Sequence, residues 1–328
     1  MHYSTANRLA VLAVAALIVA ASGSLALAQG AQGASARARV LAPGVLTTIP
    51  LDLRADDTSS KHDLLELASD AKLNWTPDFL PGTRTLSSKA KEVWFQRPIW
   101  QLEFEFKPLR MIYVDVPQPG GAVRRELVWY LVYRVRNPGT QLSPEPVEDG
   151  LYEAQVTAGG PIRFLPHFVL QGHDTDASDR KLYRAYLDRV IPAAVEPIRR
   201  RETPGQDLLD SVAISQKPLP PATGPDDAAA WVWGVATWEG IDPETDYFSI
   251  YVQGLTNAYR WVEDPAGVTA RDAPGSARRF FRKTLQLNFW RPGDQFLEHE
   301  SEVRFGAPPG RESQYGVEEG VAYQWVYR

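Results

Sequence analysis

Residues 126–136 read ELVWYLVYRVR. In an extended chain, successive side chains point to opposite faces, so Trp129, Leu131, Tyr133 and Val135 share one face while Tyr130 and Val132 share the other. The run reads as a strand with apolar side chains on both faces, and Asn137-Pro138-Gly139 stops it.

The residues upstream extend the pattern. Trp100, Leu102, Phe104 and Phe106 alternate with Gln101, Glu103, Glu105 and Lys107, as expected of a strand buried on one face and wet on the other, and Pro108 ends it. Ile112, Val114 and Val116 continue the alternation to Pro117, and Gln118-Pro119-Gly120-Gly121 supplies turn chemistry before the 126–136 run. Three strands in about 40 residues, separated by Pro and Gly, predict an antiparallel sheet. Further strands are predicted at 151–157, 162–170, 231–238, 247–253, 280–290, 295–305 and 321–327, with a hairpin turn at Arg291–Asp294.

Two segments break the period of two. Leu64, Leu67 and Ala71 predict a short helix over 61–73 behind Ser59 and Ser60. Leu182, Tyr183, Tyr186, Leu187, Val190 and Ile191 predict a second over 177–191, capped by Asp176 or Ser178 and ended by Pro192 and Pro197. Residues 203–228 hold five prolines, Pro204, Pro218, Pro220, Pro221 and Pro225, and suggest a linker or long crossing loop. The expected fold is therefore mainly β, an immunoglobulin-like sandwich or two packed sandwich units with two short helices. The units are 61–202 and 229–328, joined by 203–228 and preceded by a flexible lead over 29–60.

The first 28 residues carry a different message. Arg8 precedes the apolar run of residues 9–21, and Ala26-Leu27-Ala28 offers small residues for cleavage, so 1–28 reads as a secretory signal peptide cut near Ala28. The apolar run is too short for an uncleaved span of roughly 20 residues, and no later segment is apolar enough to be one. The chain has no cysteine, which excludes a cysteine-linked lipid anchor, disulfides and thiol chemistry. Stability must come from burial, for which 10 Trp, 13 Tyr and 12 Phe supply area. Removing residues 1–28, with one Arg and no acid, leaves 34 basic against 40 acidic side chains, a net charge of −6 that argues against a nucleic-acid partner. A secreted or periplasmic location follows.

VWYLVYRVRNPG (128–139) resembles the strand-plus-turn signature of bacterial immunoglobulin-like domains, and FSIYVQGLTN (248–257) is a looser echo. Together with FEFKPLRMIYVDVP (104–117), the chain is similar to uncharacterised secreted proteins of planctomycete-type bacteria. That resemblance implies an envelope location and brings no activity with it.

Three constellations are candidates for chemistry. His173, Asp174, Asp176 and Asp179 gather oxygen and nitrogen donors in a short segment that could wrap Ca²⁺, although Asp179 and Ala185 stand where an EF-hand needs Gly and Glu. The plainer reading is that these acids cap the helix that follows. Glu298, Glu300 and Glu302 would share one face of a strand with His299 on the other, a solvated face rather than the two carboxyls across a cleft that hydrolysis needs. Trp231, Trp233, Trp238, Trp261 and Trp290 lead an aromatic cluster whose planar rings could stack on sugars, or else be core and rim. Two basic runs, Arg199–Arg201 and Arg278, Arg279, Arg282 and Lys283, suit an anionic polymer or plain solvation. Gly-x-Ser-x-Gly, His-Glu-x-x-His, Gly-x-Gly-x-x-Gly and the P-loop are all missing.

The expected function is thus a non-enzymatic binding or structural protein of the envelope, with a protein or polysaccharide partner and no cofactor unless Ca²⁺. A carbohydrate-binding sandwich and a hydrolase on a β scaffold are the alternatives.

Overall fold

The 126–136 run sits inside the longest strand among the described residues, and a layer packs on each of its faces. A computed structural model describes residues 45–61, 94–148, 151–176, 178, 180–182, 184–263, 277–292 and 303–328. In chain order the strands are β1 (Thr47–Ile49), β2 (Ser59–Lys61), β3 (Trp94–Gln96), β4 (Ile99–Trp100), β5 (Glu103–Phe106), β6 (Arg110–Pro117), β7 (Val123–Arg136), β8 (Thr140–Glu148), β9 (Leu151–Ala158), β10 (Ile162–Arg163), β11 (His167–Gly172), β12 (Ala185–Leu187), β13 (Pro218–Leu219), β14 (Val232–Trp238), β15 (Tyr247–Gln253), β16 (Tyr259–Glu263), β17 (Arg278–Trp290), β18 (Arg304–Phe305) and β19 (Tyr323–Tyr327). The helices are α1 (Pro192–Glu202), α2 (Ser211–Gln216) and α3 (Glu312–Tyr315). The signal sequence, residues 29–44 of the lead, nearly all of the predicted 61–73 helix, the Gly293-Asp294 turn and Glu298–Glu302 lie outside the described residues. The rest of the lead, expected to be flexible, instead supplies β1 on β5 and the buried Ile49, Asp57 and Thr58.

Two antiparallel sheets face each other. One has the order β1-β5-β7-β14 with β6 also on β7; the other has the order β12-β11-β15-β17-β16 with β18 and β19 also on β17. Trp129, Leu131, Tyr133 and Val135 of β7 enter the core between the sheets, where they meet Phe168, Leu170, Phe248, Ile250, Leu285, Leu287 and Phe289. Rings bridge the layers: Trp129 meets Phe248 edge-on at 5.5 Å, and Tyr133 meets Phe168 at 4.9 Å. The opposite face of β7, Val128, Tyr130 and Val132, packs under α1 against Ile191, Ala194 and Ile198. The chain is a mainly β sandwich with a helical layer over part of one sheet.

The units proposed at 61–202 and 229–328 do not separate. β7 pairs with β14 and β11 pairs with β15, so each sheet takes strands from both sides of the Pro-rich segment. That segment is part of the fold: it carries α2, and Leu208, Ile214 and Leu219 are buried. Leu209 also hydrogen-bonds along β14, covering an edge that would otherwise be open.

The predicted 177–191 helix is not formed. Among its described residues, Ala185–Leu187 is strand β12 on the edge of β11, leaving Leu187 exposed while Tyr186 packs on the core. The amphipathic spacing is outweighed by the tertiary demand of the β11 edge. Pro192 starts α1 instead of ending a helix, since its missing N–H is unneeded in the first turn, and Pro197 is carried inside at the loss of one hydrogen bond.

Candidate functional site

Asn137 is fully buried and fixes the exit from β7. Its carbonyl oxygen accepts from Gly139 N, and its amide donates to the carbonyls of Gly160 and Leu219. From this knot β8 and β9 leave as a hairpin arm. β4 pairs only with its root, at Gln141 and Leu142, and the outer edge of β9 pairs with no strand among the described residues.

The arm has two chemically distinct faces. Cross-strand pairs share a face, so Leu142/Val156, Pro144/Ala154 and Pro146/Tyr152 make one side apolar. Gln141/Thr157, Ser143/Gln155 and Glu145/Glu153 make the other polar, and Ser143 Oγ lies 2.7 Å from Thr157 Oγ1 across it. Such alternation belongs to a ribbon covered on one side. Here the outer part of the apolar side is open: Val156 is 72% exposed and Tyr152 51%, while Leu142, Pro144 and Ala154 are half-buried. A cleft of about 260 Å³ lies at the root, lined by Trp100, Gln141, Arg163 and the 159–162 backbone. It is below the usual size of a small-molecule site.

The acidic segment does not converge. His173 Nε2 reaches Ser249, Asp174 Oδ1 accepts from the backbone N–H groups of Asp246 and Tyr247, and Asp176 accepts from Ser178 N, Arg180 N and Arg180 Nε. Asp176 therefore closes a local turn in place of capping a helix, and Asp179 lies outside the described residues. Among the described residues no three His, Cys, Asp or Glu side chains gather to hold a metal.

His173 and Ser249 are 2.7 Å apart, the spacing of a base and nucleophile, but the network assigns them other roles. Gln286 Nε2 donates to the Tyr315 carbonyl, which fixes that amide, and it also donates to Asn288 Oδ1. Ser249 spends its one proton on the same Asn288 oxygen at 2.8 Å, so His173 Nε2 is the donor to Ser249. A histidine that donates cannot take the serine proton. The cluster is buried, the Tyr315 ring lies 5.0 Å from the His173 ring, and burial, with Lys181 and Arg328 nearby, lowers the His173 pKa to about 4.

The tryptophans are dispersed. Trp238 is fully buried in the core and offers nothing to a sugar, a correction that follows from the inward face it takes on β14. Trp231 carries the guanidinium groups of Arg134 and Arg136 at 4.3 and 4.8 Å, and Trp233 has Lys107 Nζ at 5.6 Å. Trp261 lies on β16 under Arg278 and Trp290 at the end of β17 under Arg304, both in the other sheet. Of the basic runs, Lys283 is buried between Asp52 and Asp57, while Arg199 and Arg200 pair with Glu196 on α1.

The arm's face was missed in the sequence. Its signal was the alternation in residues 151–158, LYEAQVTA, but Pro144 and Pro146 hid the partner strand. No helix among the described residues is long and apolar enough to cross a membrane. No protein-family model, curated protein or solved structure matches the chain.

Proposed function

We propose that this chain is an exported envelope protein that acts without catalysis, by docking another protein on the β8–β9 arm. The observation that carries the proposal is the amphipathic arm whose apolar face turns Tyr152, Val156 and Pro146 to solvent instead of to a core, with Leu142 and Pro144 half-buried beside them. Apolar surface of this kind, bounded by polar residues, marks interaction sites on folded proteins. The signal-like residues 1–28 support export. A polysaccharide partner has less support, because the rings of Trp231, Trp261 and Trp290 each already carry a guanidinium.

The missing cysteines make the test clean, since one introduced thiol is the sole attachment point. Val156→Cys, Tyr152→Cys and, as a control on an exposed turn outside the arm, Asp226→Cys would each carry a photoactivatable crosslinker in cells that export the protein. The expected result is the same protein adduct from positions 152 and 156 and none from 226. Absence of an adduct from the arm, or the same adduct from 226, would overturn the proposal.

A further inference from the structure

We infer that the partner presents an extended cationic segment that adds as a further strand to the free edge of β9, an inference that rests on the arm being the docking element.

The hydrogen-bonding direction of each residue follows from the ladder. Gly159 N donates to Gly139 O at 2.8 Å, so odd positions of β8 exchange hydrogen bonds with β9 and even positions point away from it. Pro144 and Pro146 are even. Their nitrogens therefore lie on the outer edge of β8, beyond the short reach of β4, and remove the donors that an incoming strand would need. Cross-strand from them, Tyr152, Ala154 and Val156 aim their N–H groups out of the opposite edge, where no proline stands between 151 and 158. One edge of the arm is blocked, and the other pairs with no strand among the described residues over its eight residues, roughly 27 Å at strand spacing. Strand addition at such an edge takes its affinity from main-chain hydrogen bonds and its specificity from alternate side chains.

Charge selects the partner. Residues 139–161 contain Glu145, Glu148, Asp149 and Glu153 and no Lys, Arg or His. Glu145 and Glu153 stand directly opposite each other on the polar face, an arrangement that disfavours the free arm. A Lys or Arg on an added strand would relieve that repulsion while its alternate apolar residues extend the Tyr152–Val156 side. A second copy of this arm would bring four more acids and deepen the repulsion, so the occupant is a different chain.

The probe is an eight-residue peptide alternating Val and Lys, with a Val–Glu peptide as its counterpart, titrated by fluorescence anisotropy at low salt. The Val–Lys peptide is expected to bind and the Val–Glu peptide to bind far more weakly, the difference shrinking as salt screens the charges. Ala154→Pro removes an outward N–H and should weaken binding by about tenfold or more. Glu145→Lys/Glu153→Lys, which changes exposed side chains alone, should invert the preference between the peptides. Equal binding of the two peptides by the native protein, or an unchanged preference in the double variant, overturns the inference. So does undiminished binding by folded Ala154→Pro. If the crosslinks at 152 and 156 persist while these results fail, docking on the arm stands and strand addition falls.

Discussion

Gly234→Ala should destabilise the protein by about 2 kcal/mol, within the range of small overpacking changes in cores. Gly234 lies on β14 directly opposite Tyr133 of β7, and the tyrosine ring folds back across the bare glycine. A Cβ at 234 would lie 2.4 Å from the ring Cζ and 2.6 Å from Cε2, against a carbon–carbon contact distance of about 3.5–4.0 Å. The ring cannot withdraw, because Phe104 stacks on it at 5.6 Å and Phe164 and Phe168 close on it at 6.0 and 4.9 Å. A shift of about 1 Å must therefore pass to β14 or to the core, offset in part by the entropy that alanine removes from the unfolded chain. Urea titration followed by tryptophan fluorescence measures the loss, and a constant slope shows that the unfolding transition is otherwise unchanged. In a Tyr133→Leu background the penalty should vanish, a coupling of about 2 kcal/mol in the double-mutant cycle. A cost below about 0.5 kcal/mol, or the same cost in both backgrounds, would refute this placement of β7 against β14.

Acid should weaken the fold through His173. Its folded pKa of about 4 lies below the unfolded value near 6.5, so its stabilising contribution is fully present above pH 6.5 and is lost as pH falls towards 4, at about 1.4 kcal/mol per unit in mid-window. Asp174 and Asp188, both raised by burial, act in the opposite sense, so the quantity to compare is native against His173→Gln at pH 7 and 4.5. A stability difference that does not change with pH would contradict the assignment. Lys283 Nζ lies 3.1 Å from carboxylate oxygens of both Asp52 and Asp57 with its side chain 2% exposed, so Lys283→Met should cost about 1.5–3 kcal/mol by taking the ammonium from Asp57, which keeps the Arg260 guanidinium and the Tyr327 hydroxyl. Lys283→Met/Asp57→Asn should recover much of that loss in the same titration. Val156→Ser should leave stability within about 0.5 kcal/mol, because the side chain is already in water; a larger loss would mean that Val156 belongs to a core.

The sandwich was legible where one strand carried its whole environment in its own alternation. The two faces assigned to β7 are those that enter the inter-sheet core and the layer under α1. The strand predicted at 247–253 matches β15, and the 118–121 turn closes β6 to β7 through Gly121 N to Gln118 O. Elements set by distant partners were not legible. Tyr183, Leu187 and Ile191 repeat at helical spacing, with Tyr186 beside them, yet β11 draws Tyr186 and Leu187 into β12 and Ile191 anchors the start of α1. The prolines of 203–228 suggest a linker, but Leu219 donates its burial to the core from a strand pair with Ile162. The arm was half visible: residues 151–157 read as a strand, whereas Pro144 and Pro146 argue locally against one and make sense only as guards of an outer edge.

Residue-resolved amide hydrogen exchange of the full chain, with and without the Val–Lys peptide, tests docking on the arm most directly. Tyr152, Ala154 and Val156 carry the outward N–H groups of β9 and should exchange fast in the free protein and slowly in the complex. Gln155 and Glu153, already bonded to β8, should change little. Protection confined to the three outward amides is the predicted result. No protection on β9, or protection centred elsewhere on the sandwich, would contradict the account.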